Sequence, residues 1–312
     1  MNQHLPVLLV VVPLVAAPIA ALLNRPRLSW AVAVAATLWA LYAALELLSQ
    51  TMATGAIHYE LGGWTAPYGI EYVVDAANAW VVVIVALIGA LVTPYARKSV
   101  EQEITEDRIP LFYAAFILCL TGLLGIAVTG DVFNVFVFLE ISSLSAYALI
   151  ALGNDRRALT ASFQYLIMGS VGATFIVIGI GLMYVMTGTL NMADLADRLP
   201  EVASSRTIPV AFTFLTIGIT LKLALFPLHM WLPNAYTYAP SAVTAFIAST
   251  ATKVAVYLLL RFFFTIFGAT FSFDVMQLDR ILMPLALIAI VAMSLVCLLY
   301  TSDAADEGLG VD

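Results

Sequence analysis

Four side chains bring polar chemistry into stretches that otherwise read as hydrocarbon. Glu140, Lys222 and Lys253 each interrupt a run long enough to cross a bilayer: VFNVFVFLEISSLSAYALIALG, VAFTFLTIGITLKLALFPLHMW and AVTAFIASTATKVAVYLLLRFFF. A charge near the bilayer centre costs about 2.5–3.5 kcal/mol on insertion scales. One carboxylate and two amines at such depth can take up and release protons, so the chemistry they offer is a proton or ion path. His229, in FPLHMWLPNAY, adds an imidazole, the side chain that exchanges protons most readily near neutral pH. The competing readings are structural: a salt bridge that only orients helices, and a buried histidine that caps a broken helix.

The elements that must position these groups follow from the spacing. Glu140 lies nine residues after Asp131, about 14 Å along a helix, which is near mid-membrane. Ser142, Ser143 and Ser145 follow it and can supply hydroxyls or water sites. Lys222 lies thirteen residues past Pro209, too deep to snorkel comfortably. Lys253 follows Ser249, Thr250 and Thr252, a polar patch on an apolar helix. Arg261 is expected to snorkel or pair near an interface. Glu46, Glu71, Asp75 and Asp131 read as interface carboxylates that cap helices.

Composition sets the class. The chain has 312 residues, 62% of them apolar and 11% charged, with a mean hydropathy of +1.00. Soluble domains carry about 25% charged and 45–50% apolar residues. An all-α polytopic membrane protein is the expected fold class. The net charge of −7 sits largely in EQEITEDR (101–108) and DAADEGLGVD (303–312), and no basic block suggests nucleic acid. Cys119 and Cys297 have no metal-ligand spacing. The three histidines are scattered, and no glycine-rich phosphate loop is present. No enzyme constellation, cofactor or metal is therefore expected. The N-terminus lacks a basic segment and a small-residue cleavage site, so its first apolar run reads as a retained helix.

About nine spans fit the 20-residue requirement: 5–23, 29–50, 73–95, 110–129, 132–152, 159–187, 208–231, 240–266 and 281–300. With the N-terminus outside, inner loops hold Arg25, Arg27, Arg97, Lys98, Arg108, Arg156 and Arg157, whereas outer positions hold Arg198, Arg206 and Arg280. That bias predicts a multi-pass protein with an outer N-terminus. Segment 55–72, with Gly62-Gly63 near its centre, predicts an outer β-hairpin. LNMADLADRL (190–199) predicts a short amphipathic helix lying on the outer surface. Pro227, Pro233 and Pro240 punctuate the seventh span and the start of the eighth, which predicts a discontinuous helix. CLLYTSDAADE resembles the conceptual translation of a transposase mosaic-end sequencing adapter, which predicts that 297–312 is not native sequence.

TGDVFNVFVFLEISSLSAYALIALG, LKLALFPLHMWLPNAYTYAP and SAVTAFIASTATKVAVYLLLR resemble the proton-translocating, antiporter-like membrane subunits of respiratory complex I and its relatives. GGWTAPYGIEYVVD and FQYLIMGSVGATFIVIGIGLMYVMTGTLNMADL make the chain most similar to the D-type subunit of Mrp-type multisubunit sodium/proton antiporters. The resemblance covers 1–296. It implies two inverted helix repeats, each with a broken helix. The corresponding division is N-terminal helices at 1–109, a first repeat at 110–266, the start of a truncated second repeat at 267–296, and the tail at 297–312. It also implies Glu140 as the pairing carboxylate, Lys222 as the central lysine and Lys253 as the connecting lysine. Complex I relatives commonly carry a histidine five residues before the connecting lysine; here that residue is Ala248, which favours the Mrp type. The lysine or glutamate of the second broken helix is absent from the sequence.

The mechanism this implies is an ion-pair switch. A Glu140–Lys222 pair 4 Å apart gains about 4 kcal/mol at an effective dielectric of 20. Withdrawing Glu140 would release the Lys222 proton toward Lys253 through water. The expected partners are other antiporter subunits, the lipid bilayer, Na+ and H+, in the bacterial inner membrane. The alternatives are a proton-pumping subunit of a complex-I-like dehydrogenase or membrane hydrogenase, and a non-transporting scaffold subunit.

Overall fold

A computed structural model describes residues 2–308, with side-chain surroundings from residue 3 to 298. The adapter-like tail expected at 297–312 falls partly outside these described residues. The chain is an almost wholly helical bundle: α1 (Leu5–Leu22), α2 (Pro26–Thr54), α3 (Ala76–Glu103), α4 (Ile109–Val128), α5 (Val132–Ala151), α6 (Arg156–Thr187), α7 (Met192–Val202), α8 (Thr207–Leu223), α9 (Trp231–Tyr238), α10 (Ser241–Leu260) and α11 (Leu278–Gly308). Among the described residues, eight helices are long and apolar enough to cross a membrane, and α8 is a shorter apolar helix. Eight of the nine expected spans correspond to these long helices, and the seventh is the shorter α8, which ends before Pro227.

Capping residues start the helices where the sequence changes character. Asp75 opens α3 with a reciprocal capping box to Asn78. Asp131, Asp155 and Asn191 accept backbone N–H groups at the starts of α5, α6 and α7. Helix α4 is the most enclosed of the spans and forms the centre, with Phe112, Tyr113, Phe116 and Leu120 fully buried. Helices α6 and α8 cross closely because glycines face each other. A Cβ on Gly218 would lie 2.7 Å from the Gly172 carbonyl, and small residues at such crossings let backbones approach in membranes.

The expected hairpin is formed by β1 (Ile57–Glu60) and β2 (Glu71–Val74), paired antiparallel with Ile57 opposite Val74. It continues two residues beyond the expected end. Its second strand is tied to the α4–α5 corner by Gly130 N donating to Glu71 O, and that corner is tied to the α6–α7 corner by Val132 N to Leu190 O and Met192 N to Gly130 O. The Glu71 carboxylate is buried within this lattice, accepting from Asn191 Nδ2 at 2.7 Å and lying 3.1 Å from His58 Nδ1. The expected amphipathic helix is α7, which buries Met192, Leu195 and Leu199. Arg261 does pair near a helix end: its guanidinium meets Asp75 Oδ2 at 2.7 Å and donates to Tyr257 Oη at 3.0 Å. Arg261–Ile266 and Thr270–Val275 wind as π-helical turns before α11, whose residues 278–298 are mostly exposed.

Candidate functional site

Lys222 does not sit mid-helix, as its distance from Pro209 suggested. Helix α8 stops one residue after it, at Leu223, and the chain turns through Ala224 in the left-handed conformation (φ 58°). Pro227 and the 225–230 turn separate α8 from α9, so the seventh span is two half-helices. Lys222 therefore occupies the last turn of a half-helix, where the negative end of the helix dipole favours a cation. The backbone freed by the break is satisfied locally. Leu225 N donates to Thr220 O, and the Trp231 indole donates to Leu221 O at 3.2 Å. This is the re-satisfaction that lipid demands of a broken helix.

The amine is buried, with Lys222 8% exposed. It donates to Ser143 Oγ at 2.8 Å and lies 3.4 Å from Tyr147 Oη, both on α5. It also stands 5.9 Å from the centre of the Tyr147 ring. Glu140 lies on the same face of α5, three residues before Ser143 and seven before Tyr147. Its Oε1 is buried and has no hydrogen-bond partner. The expected 4 Å ion pair is thus not formed; Glu140 and Lys222 are not among the ion pairs of the described residues. In this conformation the amine rests on the hydroxyls of α5 instead. A cavity of about 40 Å³ lies beside the amine, lined by Ser142, Ser143, Lys222 and Tyr165 and by Ala251 and Val254 of α10. That volume can hold a water molecule.

The other two expected residues are not brought to this centre. Lys253 is exposed on α10 and donates to its own helix, to Ala248 O at 2.6 Å and Thr252 Oγ1 at 3.3 Å. An amine with no partner on another helix bonds the nearest carbonyl. His229 lies in the α8–α9 turn, stacked on Phe226 with ring centres 5.4 Å apart, and its buried Nδ1 has no partner.

Tyr147 and Gly169 escape a search for charges in apolar runs. The spacing Glu140, Ser143, Tyr147 is a helical-face signal that could have revealed the tyrosine. Gly169, on α6, carries no such signal. A Cβ there would overlap the Tyr147 hydroxyl and lie 3.3 Å from Lys222 Nζ.

The described residues define a polytopic helical membrane protein with a half-helix ending on a buried lysine. The chain belongs to the family described as NADH:quinone oxidoreductase/Mrp antiporter, transmembrane, whose model matches residues 129–302. It is 44% identical over 264 residues to the N-type subunit of NADH-quinone oxidoreductase from Desulforudis audaxviator (strain MP104C), covering 84% of this chain and 52% of that one. It is 37% identical over 222 residues to the D-type subunit of the Na(+)/H(+) antiporter from Bacillus subtilis (strain 168), covering 71% and 44%. Among solved structures it is similar to a chain of the membrane-bound sulfane sulfur reductase, an archaeal respiratory membrane complex (TM-score 0.76, 32% identity, covering 82% of this chain and 52% of that one). It is also similar to a chain of the Mrp complex from Dietzia sp. DQ12-45-1b (TM-score 0.76, 27% identity, 85% and 49%). The chain spans about half the length of the curated relatives it matches.

Proposed function

We propose that this chain is a proton-moving subunit of a multisubunit Mrp-type sodium/proton antiporter, seated in a bacterial inner membrane with its N-terminus outside. Its partners are the other antiporter subunits and lipid, and its ions are H+ and Na+. The observation that carries the reading is the buried Lys222 amine at the end of a half-helix, with the Glu140 carboxylate on the facing helix and free of hydrogen bonds at Oε1. Lys222 is the proton carrier. Glu140 is the carboxylate that draws the ammonium toward itself and, when neutralised or withdrawn, lets it go. Water in the cavity beside α10 receives the proton, and Lys253 takes it onward once a conformational change or a neighbouring subunit turns it inward.

A second reading has its own support. The 44% identical relative is a subunit of an NADH-quinone oxidoreductase, which favours a proton-pumping subunit of a redox-driven complex. The two are separated by what co-purifies with the full-length protein: small antiporter subunits, or iron–sulfur proteins. The switch itself is tested with Glu140→Gln and Lys222→Ala in the intact complex in proteoliposomes. Both variants should lose proton-coupled transport by at least about tenfold, the loss that corresponds to 1.4 kcal/mol. Wild-type transport in either sinks the switch. Replacing both residues with leucine addresses the scaffold alternative, which requires that transport survive.

A further inference from the structure

We infer that Ser143 and Tyr147 form a hydroxyl cradle that is the second resting place of the Lys222 ammonium, one to two turns along α5 from Glu140. The inference rests on the switch proposed above, and it names the state a switch needs and an ion pair alone lacks. A buried ammonium that leaves a carboxylate cannot be left without acceptors, because an unpaired charge in a low-dielectric interior is strongly unfavourable. The structure holds Lys222 in such an alternative position. Its Nζ bonds Ser143 Oγ at 2.8 Å and Tyr147 Oη at 3.4 Å, and the ring face of Tyr147 is 5.9 Å away. The two hydroxyls lie four residues apart on one face of α5, so both reach the same amine.

Three features show that the cradle is built rather than incidental. Gly169 leaves the space the Tyr147 hydroxyl fills; any side chain there would displace it. The Tyr147 ring packs edge-on against Tyr165, with centres 4.6 Å apart, and Tyr165 stacks on Trp231 at 3.9 Å with the planes 1° apart. Trp231 in turn donates to Leu221 O, the residue before Lys222. The chain of contacts closes on itself, from Lys222 through Tyr147, Tyr165 and Trp231 back to the α8 terminus. Finally, the cavity of about 40 Å³ opens beside this position toward α10 and is lined by both Ser143 and Lys222. The ammonium in the cradle is therefore the one placed to meet water on the α10 side. Glu140 and Tyr147 are both absent from that lining, so Ser143 is the cradle member that meets the cavity.

Ser143 and Tyr147 are positioning residues, acting through where they hold Lys222. The test uses the full-length complex in proteoliposomes and compares Tyr147→Phe, Ser143→Ala, the double variant and Ser143→Thr with Glu140→Gln. Tyr147→Phe keeps the ring against Tyr165 and removes only the hydroxyl, so it is informative even if the double variant fails to assemble. Both hydroxyls bond a charged group, so loss of both should slow transport by at least about tenfold. Tyr147→Phe should displace the pH–rate profile from that of the wild type, and Ser143→Thr, which restores a hydroxyl, should behave as the wild type. A Tyr147→Phe profile that coincides with the wild type, with Glu140→Gln inactive, overturns the cradle and leaves the switch standing. Full transport in Glu140→Gln overturns the switch, and the cradle with it.

Discussion

A buried ammonium needs acceptors near 3 Å, and those of Lys222 are hydroxyls from a neighbouring helix rather than the carboxylate beside them. The choice of partner has a chemical consequence. A hydroxyl accepts a hydrogen bond without carrying charge, so it holds the ammonium less firmly than a carboxylate and gives it up more easily. The space for this arrangement depends on one missing side chain. Gly169→Ala should push the Tyr147 ring away from Lys222 and reduce transport about as much as loss of the two hydroxyls. Melting of the purified complex and transport, measured together, check this. A variant that assembles and transports like the wild type would show that the Tyr147 hydroxyl has room to spare. The charged residues of this site were legible because charge in an apolar run is rare. Ser143 was legible as one of three hydroxyls that follow Glu140, whereas Tyr147 and Gly169 were not, since a glycine on α6 gains meaning only from what crosses it.

At the scale of elements, the helix starts and the broken helix carry the design. Asp131 accepts Asn134 N at 2.7 Å at the start of α5. Burial lifts its carboxyl above the ordinary carboxylate range, against the opposing pull of the Asn134 and Phe133 amides. A carboxyl whose folded value is raised favours the fold at pH below its unfolded value. That contribution is lost as pH rises through the raised folded value. Asp131→Asn keeps the capping oxygen and removes the titration. The melting temperature of the variant should therefore fall less than that of the wild type between mildly acidic and neutral pH. Equal slopes would refute the assignment to Asp131. The spans, hairpin, amphipathic α7 and helix break were all legible, because span length, Gly62-Gly63, the helical spacing of Met192, Leu195 and Leu199, and Pro227 each act locally. The position of Lys222 was misjudged because Pro227 marks the break only approximately. Helix α8 ends four residues earlier, where Ala224 adopts a positive φ that its sequence does not advertise.

Across the whole molecule, the hairpin end is a lattice of crossed bonds. Glu71 joins β2 to Asn191 at the start of α7, and Arg261 joins the end of α10 to Asp75 at the start of α3. The Arg261 and Asp75 side chains are 13% and 29% exposed, so their attraction is only partly screened. A double-mutant cycle with Arg261→Ala and Asp75→Ala should give a coupling of about 1–3 kcal/mol in thermal unfolding. Additive effects would mean that the two residues act independently. The connection matters because α10 also carries Lys253 and lines the cavity beside Lys222. None of these pairings was legible in the sequence, since Glu71 and Asn191 are 120 positions apart and no local pattern links them.

The coplanar stack of Trp231 on Tyr165 gives the helix break an optical handle. Two rings 3.9 Å apart and parallel within 1° couple their electronic transitions, and the tryptophan belongs to the half-helix beyond the break. The difference in near-ultraviolet circular dichroism between the wild type and Trp231→Phe should therefore report on the joint between α8 and α9. A shift in that band during turnover would reveal rearrangement at the break while the ion moves.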